Sequence, residues 1–126
     1  MLASGRVVAF VPSTDLGRSR EFYEKTLGLP IASADGFAVV VASPTGAIRI
    51  TDVGPGLRPQ PFTVLGWEVA ELDAEIDVLA SRGVKFVRYP GMEQDARGAW
   101  TAPGGTRIAW FHDPDGNTLS LSAAPA

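Results

Sequence analysis

The order strand, helix, strand, strand, strand runs twice through this chain, and that duplication restricts the folds open to it more than any other feature. "RVVAFVP" (6–12) is β-branched and aromatic and ends at a proline, as a buried strand does. Thr14 or Asp15 can then cap a helix on which Leu16, Ser19, Phe22, Tyr23, Thr26 and Leu27 recur at helical spacing, with Gly28 as its stop. "PIASA", "FAVVVA" and "AIRIT" read as three short strands, separated by the turn residues "DG" and "SPTG".

The second round follows the Pro- and Gly-rich stretch "DVGPGLRPQP". "FTVLGWEVA" is strand-like, and "ELDAEIDVLASRG" places Leu72, Ile76 and Leu79 on one helix face before Gly83. "VKFVRY", "GTRIAWF" and "NTLSLS" supply three further strands. The expectation is one α+β domain over 1–126: a first βαβββ module at 1–52, a connector at 53–61 and a second module at 62–126. Laying "VASPTGAIRI" on "FHDPDGNTLS" superposes Pro44 on Pro114 and Gly46 on Gly116, a displacement of 70; "STDL" falls on "VAEL" with a displacement of 56. The stretch "PGMEQDARGAWTAPGG" (90–105) is long for a connection in so small a domain and is expected to serve as a lid or binding loop.

Composition narrows the partners. A net charge of -3 with scattered acids and bases does not suit nucleic acid or an anionic membrane, and no stretch approaches the ~18 apolar residues of a membrane span. The absence of cysteine excludes disulfides and thiolate metal sites. Arg6 interrupts the first apolar run, so no signal peptide is expected and a cytoplasmic location follows as the default.

Three stretches, "TDLGRSREFYEKTLGL", "GWEVAELDAEIDVLASRGV" and "IAWFHDPDGNTLSLS", make the chain resemble the vicinal oxygen chelate superfamily of glyoxalase I, extradiol dioxygenases, fosfomycin-resistance enzymes and bleomycin-binding proteins. The resemblance implies eight strands from paired βαβββ modules in a curled mixed sheet, with helices on its convex side, a ligand cleft on the other and frequent homodimers. It also implies that metal-dependent members draw ligands from the first and last strands of each module, commonly His, Gln or Glu. Carried onto this chain, those positions are Val8, Ile50, Val64 and Ser120. None offers imidazole or carboxylate, so neither a metal nor another cofactor is expected.

Strand alternation then suggests what the cleft holds. Val8 and Phe10 on the first strand, and Phe62, Val64, Gly66 and Glu68 on the fifth, would face the ligand. Pairing Trp110 with Ser120 in the last hairpin would add Ile108, Trp110, His112, Thr118, Ser120 and Ser122, while the long loop offers Met92, Gln94 and Trp100. Phe10, Phe62, Met92, Trp100, Trp110 and Ser120 are the candidate ligand-binding residues. Phe10 and Trp110 read first as ordinary core aromatics, and Met92 as loop filler. Trp100 stands in a Gly- and Pro-rich loop, where packing demands least of it.

His112, the only histidine, and the acids beside it belong to "HDPDGNT". Two aspartates two apart also occur in calcium loops, but here the chain turns into a strand instead of supplying further oxygen ligands. A hairpin turn explains each residue: Asp113 bonds its own backbone, Pro114 fixes φ and Gly116 permits a left-handed conformation. A Ser120, His112 and Asp113 triad lacks any nucleophile elbow. Three readings stay open. The first is metal-independent binding of a small aromatic or hydrophobic molecule, as in the bleomycin-binding branch. The second is a glyoxalase-like lyase, isomerase or dioxygenase, with Glu68 or His112 as base or a relocated metal drawing on Asp52, Glu68, Glu93, Asp95 or His112. The third is a dimerisation domain without ligand chemistry.

Overall fold

Hydrogen-bond registers assign each strand a face. β1 (Val7–Ser13) lies at one edge and runs parallel to β4 (Gly46–Asp52); β4 pairs antiparallel with β3 (Ala38–Ser43), which pairs with β2 (Ile31–Ala34). The helix between β1 and β2 provides part of the crossover that a parallel pair requires. α1 (Leu16–Glu21) starts where the Asp15 carboxylate accepts from the Arg18 N–H at 3.0 Å. It continues through a wider π-helical turn at Phe22–Thr26. Val11, Val39, Val41, Ile48 and Ile50 alternate onto one face of this sheet and are buried, as is Tyr23. Each such side chain contributes on the order of 1.5–3 kcal/mol.

These elements form the first of two units, Met1–Pro59 and Gln60–Ala126, in the computed structural model, which describes residues 1–126. In the second, β5 (Thr63–Glu68) runs parallel to β8 (Thr118–Ala123), which pairs antiparallel with β7 (Arg107–His112). β6 (Trp100–Thr101) completes the sheet, and α2 (Leu72–Ser81) buries Leu72, Ile76 and Leu79, the face read from the sequence. Ala109, Phe111, Leu119 and Leu121 supply the sheet's share of the core. The architecture is α+β, with one four-stranded mixed sheet in each unit.

Two expectations need correction. "VKFVRY" forms no ladder. The edge of β7 is divided: Trp100 and Thr101 pair with Ile108 and Arg107, which leaves the earlier segment one bond, from the Val87 N–H to the Trp110 carbonyl at 2.8 Å. The repeat of the last strands is also offset by 71 positions rather than 70, because Val11 pairs with Ile50 where Trp67 pairs with Leu121. The second hairpin has one more residue in its bend. Its Gly116 has φ 86°, a left-handed backbone, and the chain resumes pairing one position later.

Candidate functional site

Each sheet buries one face and leaves the other open. In the second unit the open face is laid out in rows across β5, β8 and β7. Glu68, Ser122 and Ile108 form one row, Gly66, Ser120 and Trp110 the next, and Thr63, Thr118 and His112 the third. Eight of these residues are the ones expected from alternation; Thr63 is an addition, and the expected Phe62 and Val64 are not in the rows. The register slips between Thr63 and Leu65, a β-bulge that leaves Val64 unpaired and turns Thr63 onto the open face. There the Thr63 hydroxyl accepts from the Trp110 indole N–H at 3.0 Å.

That bond fixes the indole. β8 lies between β7 and β5, so the ring reaches across a full strand, roughly 9–10 Å from one backbone to the other, and forms a floor on the sheet. Tyr89 meets it edge to face at 5.5 Å between centroids, and the Trp100 ring lies 6.2 Å away at 34°. Ser120 sits in the row beside Trp110, opposite Gly66, where a methyl would overlap the Ser120 hydroxyl as it stands. Tyr89 and Thr63 were not among the expected residues. Tyr89 lay hidden in a segment read as strand, and Thr63 was displaced by a bulge that no residue pattern announces.

The long loop is a built structure. Gln94 donates to the Val87 and Gly98 carbonyls and accepts from the Tyr89 N–H, all within 2.7–2.8 Å, so its role is to tie the loop together. Arg107 bridges Asp73 on α2 and Asp95 in the loop at 2.8 and 2.9 Å, while Arg97 binds Asp77 on α2. Burial pushes the Asp95 carboxyl up, but N–H donation from Ala99 and Arg97 and the Arg107 guanidinium outweigh it and hold the group below its ordinary 3.8. The Arg97 hydrogen bond likewise holds the Asp77 carboxyl down. Trp100 is thus presented on a braced segment, and Met92 is half-buried behind the Tyr89 carbonyl, which accepts from its N–H. A separate shallow groove of about 320 Å³ lies on the helix side, against Ile76, Val84, Phe86 and Arg88, and includes none of the candidate residues.

The remaining candidates are scattered. Phe62 is 60% exposed beside β5, and Phe10, 65% exposed, stands on the open face of the first unit's sheet. Glu68 and His112 are both exposed but lie two rows apart on non-adjacent strands, more than ~13 Å along the strand direction, so they cannot share a proton. The turn beside His112 is as read. The buried Asp113 carboxylate accepts from the Asp115 and Asn117 N–H groups at 3.0 Å each and from the Asn117 side-chain amide at 2.9 Å.

The corrected offset changes one metal-ligand position. Phe10 pairs with Arg49 as Gly66 pairs with Ser120, so Arg49, not Ile50, stands where Ser120 stands in the second unit; Ile50 is buried on the helix face. The bulge likewise sets Thr63, not Val64, opposite Thr118 as Val8 stands opposite Ala47, so the positions implied for a metal hold Val8, Arg49, Thr63 and Ser120. A valine, a guanidinium and two hydroxyls do not fit a divalent transition metal, and no three His, Asp or Glu side chains in either unit are grouped to hold one.

A family model described as the Glyoxalase/Bleomycin resistance protein/Dioxygenase superfamily matches residues 5–121. The chain belongs to this superfamily. Solved structures of superfamily members and other similarly folded proteins match throughout. TnmS3, an antibiotic binding protein from Streptomyces sp. CB03234, is 24% identical with a TM-score of 0.72, over 100% of this chain and 99% of that one. A superfamily member from Sphaerobacter thermophilus DSM 20745 is 21% identical at 0.74, covering 98% and 99%. A lactoylglutathione lyase from Agrobacterium tumefaciens is 14% identical at 0.72, covering 95% and 93%. These likenesses establish the glyoxalase-like fold. A search of curated proteins finds no match. No helix of this superfamily member is long and apolar enough to cross a membrane.

Proposed function

We propose that this protein binds a small planar or hydrophobic molecule without a metal ion. The observation that carries the reading is the Trp110 indole, held flat on an open sheet face by Thr63 and flanked by Tyr89 and Trp100. An anchored aromatic floor with a hydroxyl beside it offers stacking area at little conformational cost and a polar group to orient the guest. Ser120 supplies that hydroxyl. TnmS3, similar in fold, is an antibiotic binding protein, which agrees with this use of the fold.

The protein acts as a homodimer in the cytoplasm on this reading. Val7 and Phe37 are exposed apolar side chains that a second copy would cover, and a chain without cysteine suits a reducing compartment.

Quenching of tryptophan fluorescence in chelator-treated protein tests the binding reading, with 1-naphthamide as a neutral planar probe. Saturable quenching that is lost in Trp100→Ala, with the fold intact by circular dichroism, supports it. Quenching identical in the variant removes the aromatic cluster from the account.

A further inference from the structure

Arg49 is placed unusually. It projects from the middle of the first unit's sheet on the open face, with Phe10 beside it on β1 and Val40 beside it on β3. These neighbours are apolar, and the guanidinium makes no hydrogen bond or ion pair within the chain. Other arginines bind elsewhere: Arg97 and Arg107 hold carboxylates, while Arg6 and Arg88 donate to carbonyls. Asp35 feels Arg49 only through longer-range attraction, and one oxygen of its carboxylate accepts from both the Phe37 and Ala38 N–H groups at 2.8 and 2.9 Å.

Two residues further along the same face, the Thr51 hydroxyl is buried and has no partner. One face thus carries a cation and a hydroxyl donor that nothing in the chain satisfies, about 6–7 Å apart along β4. A half-buried guanidinium without a partner carries a desolvation cost, and a planar oxyanion recovers it through two parallel N–H···O bonds.

We propose that Arg49 is an anion-recognition residue, and that the ligand it selects is an organic acid whose carboxylate pairs with the guanidinium while its apolar body lies on Phe10. The proposal rests on the reading that an open sheet face of this fold takes a small molecule, and gives the first unit's own open face a negatively charged one.

The test compares 1-naphthoate with 1-naphthamide, which share a ring system and differ in charge, by calorimetry on the full chain. Wild type is expected to prefer naphthoate by about tenfold or more, since a charge-assisted bidentate pair replaces a neutral contact. Arg49→Gln should abolish the preference without changing naphthamide affinity, and should fold normally because the guanidinium holds nothing in place. Naphthoate should also shift the Arg49 Nε–H resonance in an ¹⁵N spectrum. Equal affinities in wild type, or a preference that survives in Arg49→Gln, overturns the role of Arg49 and leaves the aromatic-site reading standing. Failure of the wild type to bind either probe overturns both.

Discussion

Trp110 donates its indole N–H to the Thr63 hydroxyl at 3.0 Å although β8 lies between their strands. The bond depends on the bulge at Val64, which turns Thr63 to the open face. Thr63→Val keeps the shape and leaves the indole N–H without its partner. A loss of about 0.5–1.5 kcal/mol in urea unfolding is expected, with a similar loss in Trp110→Phe. The two losses should be strongly non-additive in the double variant.

Gly66 and Ser120 form a second tight pair in the same row. Gly66→Ala should destabilise the protein by about 1–3 kcal/mol, and Ser120→Gly in the same chain should restore most of that loss. Thermal unfolding of the two single variants and the double variant reads the relief directly.

The hairpin bend separates Asp113 from its neighbour His112. Asp113→Ala removes the acceptor of three hydrogen bonds from a buried turn and should cost about 2–4 kcal/mol. His112→Asn, on the exposed side of β7, should stay within about 0.5 kcal/mol of wild type and leave probe binding unchanged.

Acid should loosen the braced loop. The folded Asp95 carboxyl lies below its ordinary 3.8, so the unfolded chain binds its proton first as pH falls. The stabilisation is therefore complete well above 3.8 and is lost as pH drops from that value through the lower folded one. Hydrogen exchange at Ala99 and Trp100 should rise in that window, and Asp95→Asn should flatten the rise.

Much of this architecture is legible in the residues. The apolar faces of both helices, the alternation that gathers Trp110, Ser120 and Glu68 on one face, and the Asp113 turn all follow from local patterns that the structure keeps. What escaped depends on events between strands. A single extra residue in the second bend moves the counterpart of Ser120 from Ile50 to Arg49, and a strand's period of two turns that slip into a change of face. "VKFVRY" has the composition of a strand but shares the edge of β7 with Trp100 and Thr101, a competition invisible in composition. Gln94, expected at a ligand, spends both ends of its amide on the loop backbone.

Metal-independent binding on an anchored aromatic face is the central claim, and calorimetric titration of chelator-treated protein with a panel of planar aromatic compounds tests it most directly. The account predicts saturable binding by at least one compound, unchanged when Zn, Ni, Mn or Fe is added back, and weakened about 5- to 150-fold in Trp110→Ala, where the loss of a stacked indole is worth about 1–3 kcal/mol. Binding that appears only after a metal is restored, or that persists undiminished in Trp110→Ala, would contradict it.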